Sequence, residues 1–70
     1  MDARHQFAHN LRVMRTELGL SQEALGAACG LHRTEISLLE RAARDPRLST
    51  IVRVSRALGV TPAELLDGVS

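Results

Sequence analysis

Seventy residues make one domain, 1–70, with a single core so small that a second copy often adds what is missing. At 44% apolar the chain can bury a core, which excludes global disorder, and its one aromatic residue, Phe7, excludes a base-stacking platform for single strands. The formal net charge of +1 is unevenly spread: residues 29–56 carry six arginines against three carboxylates, a net of +3, whereas residues 57–70 hold only Glu64 and Asp67. All the basic side chains are arginine, whose planar fork suits phosphate and guanine edges, although a GC-rich genome would give the same bias. The lone Cys29 excludes an internal disulfide and a cysteine-based zinc site, and reads as a small buried hydrophobe. With no long apolar run and no signal peptide, the expected location is cytoplasmic.

Met1 to His5 reads as a frayed tail. His5 and His9, four apart, could clip a metal, but no third ligand lies near, so two solvated histidines are expected and neither metal nor cofactor. A first helix is predicted from Gln6 to Leu18, with Phe7, Leu11, Met14 and Leu18 as one apolar stripe and Gly19 as its stop. Ser21 is a good N-cap for a second helix, and Gly30-Leu31 closes it. The third helix starts near His32 or Arg33 and ends near Arg41. Asp45-Pro46 is a turn. The fourth runs from Leu48 or Ser49 to Leu58, with Ile51, Val54 and Leu58 inward. Thr61-Pro62-Ala63-Glu64 is a capping box with proline at N1, opening a fifth helix whose Leu65 and Leu66 close the core. Gly19-Leu20, Gly30-Leu31 and Gly59-Val60 each pair a left-handed cap with an apolar residue that tucks back.

The centre of the pattern is Gln22 to Leu39: helix, a three-residue turn containing Gly30, helix. That is the layout of a helix-turn-helix, whose second helix can lie in the DNA major groove. Gly26 falls where the two helices approach, so a side chain larger than methyl should push them apart. Gly30 falls where the turn needs positive φ. Ile36 and Leu39 share the inner face, which leaves Arg33, Thr34, Ser37 and Leu38 facing out.

The stretches Leu18-Gly19-Leu20-Ser21-Gln22-Glu23-Ala24-Leu25, Gly30-Leu31, Ile36-Ser37-Leu38-Leu39-Glu40-Arg41 and Ala57-Leu58-Gly59-Val60 are similar to the lambda-repressor-like, Cro/CI-type (XRE) helix-turn-helix family. Leu31 to Ser37 with Glu40-Arg41 also resembles, more weakly, the controller proteins of restriction-modification systems. The resemblance implies an all-α, five-helix domain that binds double-stranded operator DNA as a homodimer and regulates transcription. It implies that Gln22 bonds a phosphate and braces the start of helix 3, that Arg33, Thr34, Ser37 and Leu38 face bases, and that Glu40 pairs with Arg15. Arg41, Arg44 and Arg47, with Ser21, would lie along the DNA backbone. Three departures stand out: Ala42-Ala43 replaces a frequent glycine, His32 stands where serine, threonine or aspartate usually caps helix 3, and Gly26 replaces the usual alanine, with little expected consequence.

Arg33 is the leading base-reading residue, its alternatives being a phosphate contact or an ion pair with a glutamate. Glu35 could accept from cytosine N4 or reach back to cap helix 3. Thr34 and Leu38 could meet a thymine methyl. Arg15 and Glu40 read as a structural pair rather than a contact. A dimer surface is expected on helix 5 and the end of helix 4, with Leu66 and Val69 exposed. The alternative is a protein-interaction module, such as an antitoxin or a regulator's partner, on the same fold. An enzyme is not expected, there being no phosphate-binding glycine loop and no serine-histidine-acid set, and no small-molecule ligand is evident.

Overall fold

A computed structural model describes residues 1–70 and contains five helices: α1 (Ala3–Glu17), α2 (Gln22–Cys29), α3 (Arg33–Glu40), α4 (Leu48–Leu58) and α5 (Pro62–Leu65). Four of the five start on a side chain that accepts from the first turn. Ser21 accepts from the Ala24 N–H, Thr61 forms a capping box with Glu64, and His32 uses Nδ1 to accept from the Thr34 N–H at 3.0 Å. The fourth cap is a correction to the sequence reading. Residues 1–5 do not all fray: Asp2 caps α1 by accepting from the His5 N–H at 2.9 Å, which starts the helix at Ala3 rather than Gln6. Only α4 lacks a side-chain cap, because Arg47 has no acceptor to offer.

The helix ends share one device. Gly19, Gly30 and Gly59 are left-handed, as expected, and each next residue donates to the carbonyl five positions back: Leu20 to Arg15 at 3.1 Å, Leu31 to Gly26 at 2.8 Å and Val60 to Ser55 at 3.0 Å. The end of α3 makes the same closure without glycine. Ala42 has φ 57°, and the Ala43 N–H reaches the Leu38 carbonyl at 3.0 Å. A left-handed alanine costs about 1–2 kcal/mol. Its methyl is buried, however, and one buried carbon returns about 0.8 kcal/mol, so part of the strain is offset.

One core unites all five helices: Phe7 and Leu11 of α1, Leu25 and Cys29 of α2, Ile36 and Leu39 of α3, Ile51, Val54 and Leu58 of α4, and Leu65 of α5. Burial pushes the Cys29 thiol pKa up, in keeping with an inert packing role. The apolar stripe of α1 stops at Met14, and Leu18 is 55% exposed, against expectation. Leu18 is the C-cap, and the left-handed turn at Gly19 brings Leu20 onto the core in its place. Leu66 and Val69 are also not exposed as expected. The turn after α5 folds back on α1, where Asn10 Nδ2 donates to the Leu65 and Asp67 carbonyls at 2.9 and 2.7 Å, and both side chains pack half-buried on the core. No helix is long and apolar enough to cross a membrane.

Gly26 is tighter than the sequence suggests. A Cβ built there would sit 2.5 Å from the Leu31 carbonyl oxygen, so even a methyl collides with the backbone of the turn. Gly26→Ala should therefore destabilise the fold by about 1–3 kcal/mol, read as a lower urea midpoint at unchanged slope. The His5 hydrogen bonds hold the Asp2 carboxyl below its ordinary 3.8. The contribution of this cap is complete above that value and is lost as pH falls through the lower native one. The His5 amide resonance should follow that titration in an acid NMR series while the resonances of α4 stay in place.

Candidate nucleic-acid interface

The third helix is fixed from beneath by charge. Arg15 of α1 meets Glu40 of α3 with two bonds, Nε to Oε2 at 2.5 Å and Nη2 to Oε1 at 2.9 Å. The third arginine nitrogen, Nη1, donates to the Leu20 carbonyl at 2.7 Å. The Glu40 side chain is 3% exposed and that of Arg15 11%. The bond to Glu40 raises the arginine pKa further above its ordinary value, against the opposing effect of partial burial. Gln22 Nε2 adds a fourth strand to the node, donating to Glu40 Oε1 at 3.2 Å. Its amide therefore braces the end of α3 and not its start, as the resemblance had implied.

A second tie comes from α4. Arg53 Nε donates to the Cys29 carbonyl and Nη2 to the Gly30 carbonyl, each at 3.1 Å, so a guanidinium closes the C-terminus of α2 where the turn begins. Nothing in the local sequence marks Arg53 for this role, since its partners lie more than twenty positions upstream.

On this support the outer face of α3 presents Arg33 and Thr34, both exposed, and Ser37 and Leu38, both half-buried; Ile36 and Leu39 point into the core. Arg33 Nη1 lies 3.7 Å from Glu23 Oε2, a loose pair between two exposed side chains. Glu35 does not reach back to cap α3: His32 does that, and Glu35 Oε1 accepts instead from Arg44 Nη1 at 2.6 Å. Arg41 and Arg47, on the loop that follows, are exposed and carry no ion pair, while the Ser21 hydroxyl is held by its own helix. The structure thus gathers Ser21, Gln22, Arg33 and Glu23 around one shallow pocket and Glu35, Arg44 and Arg47 around another. Arg33 and Glu35, both in the first turn of α3, belong one to each group.

A two-helix unit with a glycine turn, a buried brace under its second helix and a polar outer face defines a lambda-repressor-like helix-turn-helix domain. The comparisons agree. The HTH_3 helix-turn-helix model matches residues 11–65, and this chain belongs to that family of DNA-binding transcription regulators, which is not a family of enzymes. It is 45% identical over 62 residues to the control protein C.BamHI of Bacillus amyloliquefaciens, covering 87% of this chain and 76% of that one. It is also similar to the crystal structure of the restriction-modification controller protein C.AhdI of Aeromonas hydrophila, at 39% identity and TM-score 0.87, covering 89% and 94% of the two chains. The P22 c2 repressor, solved in complex with a synthetic operator, superposes with TM-score 0.82 at 32% identity, again over 89% and 94%.

Removing one partner of a buried, bidentate pair strands the other, at about 3–5 kcal/mol. Glu40→Ala should cost that much in a urea melt, a large share of the about 5–15 kcal/mol that such domains hold. Gln22→Ala, which removes only the auxiliary bond, should cost about 1 kcal/mol.

Proposed function

We propose that the chain is a sequence-specific regulator that binds double-stranded DNA in the cytoplasm as a homodimer, with α3 in the major groove of each half of a palindromic operator. The observation that carries this reading is the exposed first turn of α3, Arg33 and Thr34, on a helix whose inner face and far end are locked by Ile36, Leu39 and Glu40. A rigid helix with a free, polar leading end suits direct readout, which needs donors held in register with base edges. Arg33 would take the O6 and N7 acceptors of a guanine, leaving its loose contact with Glu23. Thr34 would meet the next base, with Ser37 and the methyls of Leu38 one turn further along. Glu35 is the candidate for a cytosine N4 donor, at the cost of its bond to Arg44. Ser21 and Gln22 on one side, and Arg41, Arg44 and Arg47 on the other, would follow the phosphates. One domain with so short a reading helix makes few base contacts, so two copies on half-sites about one helical turn apart would supply specificity. The relatives support this reading by what they are described to be: control proteins, and a repressor held on an operator.

Selection from random duplexes should return two inverted copies of a short motif. In Arg33→Ala the preference at one base pair of each copy should fall by about 1–3 kcal/mol, with the remaining positions kept. An unchanged preference at every position, or a motif that occurs once, would overturn the assignment of Arg33 or of the dimer respectively.

A further inference from the structure

Of the four side-chain acceptors that start helices in this fold, only one changes charge near neutral pH. Ser21 and Thr61 cap with hydroxyls, which carry no charge at any ordinary pH, and the Asp2 carboxyl takes a proton only in acid. The cap of α3 is the exposed His32 ring. Its Nδ1 accepts from the Thr34 N–H at 3.0 Å and stands 3.0 Å from Thr34 Oγ1. Accepting needs a bare Nδ1, so the capping ring is neutral with its hydrogen on Nε2. The Thr34 N–H, in the first turn, has no acceptor inside the helix and no other partner in the protein. Imidazoles ordinarily gain a proton between about pH 5 and 8. A protonated Nδ1 can no longer accept; it can only donate, and Thr34 Oγ1 is the acceptor at hand.

Nothing around the ring is placed to hold a positive charge there. The carboxylates near it are already paired: Glu23 of α2 with Arg33 at 3.7 Å, Glu35 of α3 with Arg44 at 2.6 Å, and Asp45 of the following loop with Arg4 at 3.4 Å. Arg47, just before α4, and Arg53, within it, add positive charge that no carboxylate offsets. The ring also sits at the positive end of a helix, where a cation is unfavourable. We propose that His32 is a positioning residue for the reading helix: its neutral ring fixes the first turn of α3, a proton on Nδ1 releases that turn, and the fidelity of base readout falls with pH. The inference rests on the groove docking proposed above. The cap is complete above the imidazole range and is lost as pH drops through it. Arg33 and Thr34 are then held only by the bonds from the Glu35 and Ile36 N–H groups to the His32 carbonyl, at 2.9 and 3.4 Å. The added charge meanwhile strengthens attraction to any duplex, whatever its sequence.

The first measurement is an NMR titration of the isotopically labelled full chain without DNA, from about pH 8 to about pH 5. The His32 ring nitrogens and the Cα carbon shifts of Arg33 and Thr34 should follow one titration, the carbons losing part of their helical displacement. In His32→Asn, whose side-chain oxygen caps but does not titrate, those two carbon shifts should stay in place. The second measurement compares affinity for the duplex recovered by selection with affinity for a scrambled copy at fixed salt. Their ratio cancels the charge that His5 and His9 add to the binding of both duplexes. Over the same pH range the ratio should fall roughly fivefold in the unaltered chain, about the worth of one N-cap. It should stay level in His32→Asn and sit at the lower value throughout in His32→Ala, with thermal melts showing that both variants fold. First-turn shifts that ignore the ring's titration, or that move equally in His32→Asn, overturn the inference and leave the groove reading standing if the selected duplex is still preferred. A ratio indifferent to pH, or one that falls equally in His32→Asn, also overturns it. No preference for the selected duplex at any pH overturns the groove reading and the loss of fidelity with it, while the titration of the free chain still judges the cap.

Discussion

The buried fork between Arg15 and Glu40 is the constraint on which the geometry of this domain depends. It is the point at which α1, the Leu20 segment, α2 and α3 share one set of hydrogen bonds. Apolar packing fixes how deep α3 lies but resists rotation about its axis only weakly. Directional bonds at its C-terminal end supply that missing resistance. A buried ion pair is seldom the most stable choice for its site, since the same volume filled by apolar groups is often as good. Here it holds a specific orientation, because a helix turned by a fraction of its circumference would present different residues on its outer face.

The opposite end of α3 is governed by close approach rather than charge. Gly26 lets the Leu31 carbonyl come within a distance that no side chain would allow, and Arg53 ties off the two carbonyls just before the turn. The outer face then carries ion pairs of its own, Arg33 with Glu23 and Arg44 with Glu35, three of whose four side chains are well exposed. Such pairs contribute little to stability. They do lower the free positive charge that the face shows to a polyanion, since a carboxylate must be displaced before Arg33 or Arg44 is free. Non-specific attraction is thereby kept modest, in keeping with a chain of formal charge +1.

What could be read from the sequence is what is decided within a few residues. Ser21, Thr61-Pro62-Glu64 and the three glycine-apolar pairs announce helix ends through local hydrogen bonds and dihedral preference, and the inward stripe of α4 follows from spacing alone. The Arg15–Glu40 pair came from family resemblance, not from any local rule. Three kinds of feature were out of reach. Long side chains choose partners far along the chain, as Arg53 and Asn10 do. Residues with two sound local options need the third dimension to decide, as when Glu35 takes Arg44 instead of the helix start. And a cap at the extreme N-terminus is discounted because chain ends usually fray, although Asp2 three positions before a free N–H was a signal in plain view.

The recurring left-handed closures have a kinetic meaning as well. Each stop is written within about six residues of chain, through a bond from the residue after the turn to a carbonyl one turn back. Helix limits are therefore specified locally, so that once packing has formed the helices their ends need no distant partner. Small helical domains assembled this way reach the native state in roughly microseconds to milliseconds. A chain built so can complete its fold soon after it leaves the ribosome.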